Sequence, residues 1–163
     1  MDDLMIYPFF DALAQEVSAL IGRVLMEVNT KEYPESDMKE FAAYYSAETV
    51  LALAREGQTY VAMDGETVVG CGSVAPLEKE GECEIRAVFV LPEYEGQGIG
   101  RTIMEVLESD PLFTRAKRVV VSASLTAHPF YEKLGYRYVG GVPVCEDNDH
   151  YWMEKGGEGL EAR

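Results

Sequence analysis

Positive charge is what this chain has least of. Its 163 residues carry 14 lysines and arginines against 29 aspartates and glutamates, a formal net charge of −15. That balance argues against nucleic acid or an anionic membrane as a partner, since both need basic surface. Cysteine is also scarce: Cys71, Cys83 and Cys145 are odd in number and lack C-x-x-C spacing, so neither a disulfide framework nor a metal site follows. Cys71 and Cys83 are expected to serve as small buried hydrophobes. No apolar run reaches membrane-spanning length, because Arg23 and Glu27 interrupt the most apolar helical stretch. The opening Met1-Asp2-Asp3 lacks the basic start and apolar centre of a secretory leader. A reducing cytoplasm is the default setting. Repeats, low-complexity blocks and linkers are missing as well. One domain over 1–163 is therefore expected, with a frayed tail from about 156 to 163.

What the chain does have is a globular composition, 47% apolar with ten tyrosines. A short first strand ends near Ile6-Tyr7. Leu13, Val17, Leu20, Ile21, Val24, Leu25 and Val28 then recur at helical spacing over Asp11 to Val28. Pro34 opens a second helix to Tyr45, and Ser46 or Ala47 opens a third that stops at Gly57. The period then becomes that of strands. Thr59 to Met63 and Thr67 to Ala75 flank an Asp64-Gly65 hairpin turn, and Glu82 to Val90 follows. After the next helix, Lys117 to Ala123 reads as a buried strand around three consecutive valines. A short helix and two last strands, near Tyr136–Gly140 and Asp149–Lys155, complete a mixed sheet with helices on both faces.

The most informative stretch is Val88 to Glu108, VFVLPEYEGQGIGRTIMEVLE. It reads as a strand, a proline stop, a loop with Gly96, Gly98 and Gly100, and an amphipathic helix from Gly98 to Ser109. The helix is expected to bury Ile99, Ile103, Met104, Val106 and Leu107. Glycines opening a helix gather unpaired backbone N–H groups and the positive dipole end at one spot, which suits a phosphate. Two familiar phosphate loops fail. In G-x-G-x-x-G the third glycine falls on Arg101 or Ile103, and a Walker loop requires Lys where Arg101 stands.

This loop resembles the acetyl-CoA signature of the GNAT N-acetyltransferase superfamily, usually Gln/Arg-x-x-Gly-x-Gly/Ala. Here it is Glu95-Gly96-Gln97-Gly98-Ile99-Gly100, with an acid in the first place. Ala127-His128-Pro129-Phe130-Tyr131-Glu132-Lys133-Leu134-Gly135-Tyr136 resembles that family's second signature, and His150 to Lys155 its closing strand. The resemblance covers about Gln58 to Lys155. It implies an α/β fold whose twisted, largely antiparallel sheet contains one splayed parallel pair, here Glu82–Val90 and Lys117–Ala123. Acetyl-CoA would lie in the V between them, paired like an added strand with the backbone of Val88, Phe89 and Val90. Glu95, Gly96, Gln97, Gly98, Ile99, Gly100, Arg101 and Thr102 would surround the pyrophosphate. Arg101, Lys117, Arg118, Lys133 and Arg137 are the cations near these motifs. The implied activity is acetyl transfer to a primary amine of a small molecule or peptide, by direct attack in a ternary complex. A catalytically idle CoA-binding sensor or partner module is the alternative.

Such a transfer needs a fixed acyl group, a neutral amine and a proton for the departing thiolate. Tyr131 aligns with the family's proton donor; the other reading is an aromatic packed like Phe130. Ser124 would either contact pantetheine or cap the following helix. Glu82 and Glu84 share a strand face, and Glu84 is the candidate base. His128 is expected to be structural, and no role follows for His150. Asn29, Tyr33, Tyr44 and Tyr45 fall where the family builds its acceptor pocket. No metal is implied, and a homodimer is left open. If the acidic field captures a cationic amine, raising salt increases the Michaelis constant for the amine more than that for acetyl-CoA. Steady-state kinetics at two ionic strengths check this, and equal responses would defeat it.

Overall fold

The computed structural model describes residues 3–145 and 149–156. The chain opens with β1 (Leu4–Pro8), a 3-10 turn (Asp11–Leu13) and helix α1 (Ala14–Glu27). After a second 3-10 turn (Asn29–Lys31) come α2 (Glu35–Tyr44) and α3 (Ala47–Glu56). Three strands follow: β2 (Gln58–Asp64), β3 (Thr67–Pro76) and β4 (Glu82–Val90). A third 3-10 turn (Pro92–Tyr94) leads into α4 (Ile99–Ser109) and the short α5 (Pro111–Thr114). The chain then forms β5 (Arg118–Ser124), α6 (His128–Lys133), β6 (Arg137–Tyr138) and β7 (His150–Gly156).

The seven strands of the described residues join one sheet in the order β1-β2-β3-β4-β5-β7-β6. Only β4 and β5 run parallel; every other neighbouring pair is antiparallel. This is the mixed, largely antiparallel architecture expected from the sequence. Successive residues of a strand face opposite sides, and the helices divide accordingly. Gly70 and Gly72 of β3 lie under α4, with Ile99, Ile103 and Leu107 above them. Phe89 of β4 lies on the other face, where its ring meets Tyr45 at the α2–α3 junction. Helix α1 buries Val17, Leu20, Ile21, Val24 and Leu25 against that second face.

Local chemistry accounts for the boundaries. The Ser46 hydroxyl accepts the Thr49 N–H at 3.3 Å and starts α3. Gly65, at φ +62°, supplies the left-handed residue of the β2–β3 hairpin. Val119, Val120 and Val121 are all buried, as a strand covered on both faces requires.

The structure corrects four expectations. Val106 is only half-buried, on the flank of the α4 stripe. Helix α5 was not expected. Asp110 caps it, accepting the Leu112 N–H at 2.9 Å, and Pro111 occupies its first turn, so Asp-Pro was the available signal. Strand β6 is two residues long, because Gly140 and Gly141 follow with φ +84° and +85° and turn the chain away. Gly156 is buried and pairs with Arg118, so β7 runs to this residue; the rest of the expected tail, 157–163, lies outside the described residues.

Gly57, between α3 and β2, has no room for a side chain. A Cβ there would stand 2.2 Å from the Val74 carbonyl oxygen and 2.7 Å from the Ala75 Cα. Both obstacles are backbone, so Gly57→Ala is expected to destabilise by about 1–3 kcal/mol. Gly22 inside α1 is the contrast: its Cβ would meet Ala42 Cβ at an ordinary 4.0 Å. Gly22→Ala should therefore stabilise by about 0.5–1 kcal/mol through helix propensity. Urea midpoints at unchanged slope check both, and equal midpoints would contradict the steric reading.

Candidate active site

Strands β4 and β5 pair over four rungs, from Glu82 with Arg118 to Ile85 with Val121, and then part. Beyond that point β4 stays paired to β3 as far as Val90, and β5 stays paired to β7 as far as Ser124. Among the described residues, no strand lies between the facing edges of the two. The cause lies in the β3–β4 register. Arg86 pairs with Ser73 and Phe89 with Cys71, so Ala87 and Val88 together oppose Gly72. Ala87 takes φ +52°, and this bulge bends β4 away from β5. Two neighbours accommodate it. The Cys71 thiol donates to the Ala87 carbonyl at 3.3 Å, and burial pushes that thiol up to about 12. Gly72 leaves space that Val88, Ile103 and Leu107 fill; a Cβ there would meet their side chains at 3.3, 2.8 and 3.0 Å.

The glycine loop closes the wide end of this V. Gly96 and Gly98 hold φ +76° and +81°, with open space where a side chain would be. Gly98 is the N-cap of α4, and the first helical bond runs from the Thr102 N–H to the Gly98 carbonyl at 3.0 Å. The N–H groups of Ile99, Gly100 and Arg101 therefore leave the helix end without an intrahelical acceptor. Together with the dipole they form an anion cradle. Arg101 is exposed beside it. The other predicted loop residues divide by role. Gly100 is helical, and its missing side chain admits the Phe130 ring, 3.3 Å from where a Cβ would be. The Thr102 hydroxyl donates to Gly98, and the Gln97 amide to the Glu93 carbonyl. Glu95 is exposed. Glu93, just before the loop, is gripped by the Arg23 guanidinium at 2.9 and 3.1 Å, which ties the loop to α1.

Tyr131 in α6 is buried against the rings of Phe130 and Tyr136, at 5.1 and 5.6 Å between centroids. Burial holds its phenol well above the usual tyrosine range, so it stays protonated at neutral pH. No described residue hydrogen-bonds its hydroxyl. Ser124 closes the turn before α6, its oxygen accepting the Ala127 N–H at 3.0 Å; the N-cap itself is Ala127, without a side-chain cap. Glu82 and Glu84 precede the bulge and do share a face, but neither stands alone. Glu84 accepts from Arg86 Nε at 2.6 Å, and Arg86 also reaches Glu56 at the end of α3, at 2.7 Å. Glu82 pairs with Arg118, whose Nε binds Glu154. Arg118 and Lys117 are thus at the closed end of the V, where strand direction carries them away from the glycine loop.

Several contacts escaped the sequence reading. The Tyr33 hydroxyl accepts the Leu125 N–H at 2.8 Å and donates to the Asp149 carbonyl at 2.6 Å, pinning the α1–α2 connection to the end of β5. Tyr45, pushed up to about 12 mainly by burial, flanks Phe89 on the face of Glu84 and Arg86. His150 pairs with Ser124 across β5 and β7, and its Nε2 is buried without a partner among the described residues. His128 bonds Tyr138 at 2.8 Å and packs at a tilt on Tyr151, as a structural residue would.

Comparison with known proteins gives the following. The profile of the acetyltransferase (GNAT) family matches residues 21–136. An uncharacterised N-acetyltransferase, YjcF of Bacillus subtilis (strain 168), is 33% identical over 90 residues, 55% of this chain and 63% of that protein. Probable N-acetyltransferase 14 of Danio rerio is 30% identical over 106 residues, 61% of this chain and 38% of that one. The matched stretch thus spans less than two thirds of either relative's length. Among solved structures, the PaiA N-acetyltransferase from Thermoplasma acidophilum in complex with coenzyme A superposes with a TM-score of 0.80 at 16% identity, covering 94% of this chain and 99% of that one. An aminoglycoside 6'-N-acetyltransferase complexed with coenzyme A gives 0.66 at 21% identity, covering 93% and 96%. These structures share the fold.

Gly98 and Gly100 fail for different reasons when enlarged. Gly98→Val forces a branched residue to positive φ at the cradle, so coenzyme A binding is expected to be lost while Tyr131 stays packed. Gly100→Val instead drives into Phe130 and lowers thermal stability as well. Calorimetry with coenzyme A and thermal melts separate the two. Unchanged affinity in a folded Gly98→Val protein would make the loop a mere turn.

Proposed function

The chain belongs to the acetyltransferase (GNAT) family, and from that premise we propose that it moves the acetyl group of acetyl-CoA to a primary amine of a small molecule or peptide, by direct attack in a ternary complex. One observation carries the reading: a slot between two parting parallel strands opens onto a helix N-terminus with unpaired N–H groups. A pantetheine arm has amides that match the free edge of β4 at Val88–Val90, and a pyrophosphate matches the cradle at Gly96–Thr102. Acetyl-CoA supplies the activated acyl group; no metal is needed.

On this reading the residues divide the work. The cradle and the β4 edge hold the thioester still, which removes much of the entropic barrier. Tyr131 gives its proton to the departing sulfur. Its raised phenol is a weaker acid than a free one, but a thiolate leaving into the same dry surroundings is a correspondingly stronger base. The amine must arrive neutral, since an ammonium, whose reference pKa is about 10.4, has no lone pair to attack. Glu84 takes the proton through the oxygen that Arg86 leaves open, or through a water. That engagement of Glu84 by Arg86 is also what favours the second reading, an idle CoA-binding module. Isothermal titration with coenzyme A tests what both readings share. Thiol release across an amine panel separates them.

Tyr131→Phe keeps the ring and loses the proton. Turnover is expected to fall about 100- to 10,000-fold, with coenzyme A affinity within about threefold of wild type, roughly 0.65 kcal/mol. Because burial raises the phenol, it remains protonated from pH 7 to pH 9, so the loss should be the same factor at both values. A loss that shrinks on going to pH 9 would mean that Tyr131 titrates and sits in water. A drop under about threefold would leave it a packing residue.

A further inference from the structure

A cavity of about 270 Å³ opens on the α1–α3 face of the sheet, beside the slot. One side of it is apolar, with Val120 from β5, Trp152 from β7, and Val139, Val142 and Val144 from the stretch after β6; the ion-paired Glu82 and Arg118 line it at the closed end of the V. Apart from the buried Val120, the apolar residues are an unusual group to leave in water. Val142 and Val144 are more than half exposed, and Val139 and Trp152 are each 38% exposed. Its volume is just under the range of small-ligand sites, roughly 300–1,000 Å³, so it holds one end of a ligand and not the whole.

Position says which end. Val120 pairs across the sheet with Glu84, and the next rung, Ile85 with Val121, is the last before the strands part. The cavity floor is therefore about 3.3 Å, one strand residue, short of the slot. Charge is graded along the same line. At the slot end, Glu84 and Glu56 share the single cation Arg86, a surplus of one negative charge. At the cavity, Glu82 and Glu154 hold Arg118, and exposed Lys79 reaches Glu82 at 3.4 Å, so the surplus is cancelled. The Nε and Nη1 donors of Arg118 are already taken by carboxylates.

We infer that this cavity selects the acyl acceptor, taking the uncharged apolar end of a primary amine whose nitrogen lies on the Glu84 side. The assignment rests on the acetyl-transfer reading above for what happens to the nitrogen. It goes beyond that reading in naming the acceptor class: an amine with an aliphatic or aromatic tail, in preference to an amino acid. A carboxylate at the tail end would give up its hydration for a cluster in which Glu82 and Glu154 already balance the charges of Arg118 and Lys79, with no net positive charge to offset the loss.

Trp152 is the one tryptophan of the chain, so its emission reports the cavity directly, with or without turnover. The experiment titrates hexylamine, propylamine and 6-aminohexanoate into the whole protein, with and without coenzyme A. Expected are a saturable shift of Trp152 emission with hexylamine and at least tenfold weaker binding of propylamine. Full burial of the extra carbons would give roughly fourfold per methylene. 6-Aminohexanoate should also bind at least tenfold more weakly than hexylamine. Val142→Asp and Val144→Asp, both at exposed positions, should erase the hexylamine response and leave coenzyme A affinity and circular dichroism unchanged. Equal affinities for hexylamine and propylamine, or a wild-type response in both folded variants, would overturn the assignment. A dimer that Val142→Asp dissolves and hexylamine leaves intact would give the face to a second copy and overturn it too. Absence of coenzyme A binding with the hexylamine response intact would instead sink the acetyl-transfer reading and leave the apolar-amine site standing.

Discussion

The structure turns on the point at which β4 and β5 stop pairing. Up to Ile85 and Val121 they form an ordinary parallel ladder; one residue later the ladder ends. The bulge at Ala87 is responsible, and it is a costly feature. A non-glycine residue at positive φ is disfavoured by about 1–2 kcal/mol, and the split gives up sheet hydrogen bonds on both strands. The surroundings hold it in place. Cys71 satisfies the Ala87 carbonyl, Gly72 yields its space to Val88, and Ile103 and Leu107 of α4 fill what remains. Because α4 is fixed by this contact, its N-terminus is fixed at the mouth of the slot. The glycine loop, the slot and the bulge are thus one mechanical unit.

An anionic ligand in so acidic a protein needs an account of scale. The net charge of −15 acts through solvent, where screening sets in over about 8 Å at physiological salt. Backbone N–H groups at a helix start act at hydrogen-bond distance and are little screened. The near field therefore decides binding, and the far field decides which molecules approach. On the face of the sheet that carries Glu84, the carboxylates outnumber the cations at Glu56–Arg86–Glu84.

The parts legible in the sequence were those whose signal is local. The Asp64-Gly65 hairpin, the valine run of β5, the proline stop after Val90 and the glycines opening α4 each announce their geometry within a few residues. The order of helices and strands followed from their periods. The cradle was legible for the same reason, although Gly100 proved to serve Phe130 and Thr102 its own helix. What could not be read depends on partners distant in the chain. An alanine carries no sign of positive φ, and the bulge at Ala87 exists only against Gly72 and Cys71. Glu84 looked like an available base, but Arg86 on the same strand face takes one of its oxygens and is itself held by Glu56 once α3 has packed. Arg118 looked near the loop in sequence, but the parallel crossover places it at the other end of the slot. Tyr33, one of several tyrosines in the helical region, became identifiable only when its hydroxyl bridged Leu125 and Asp149.

The central claim is that the slot between β4 and β5, and the N–H groups at its mouth, receive the coenzyme. Amide hydrogen exchange resolved by residue tests it most directly, with and without saturating coenzyme A. The account predicts slowed exchange along the free edge of β4, from Val88 to Val90, and at Ile99, Gly100 and Arg101, with β1 and β2 unchanged. Coenzyme A that binds while those amides exchange at their original rates would contradict it.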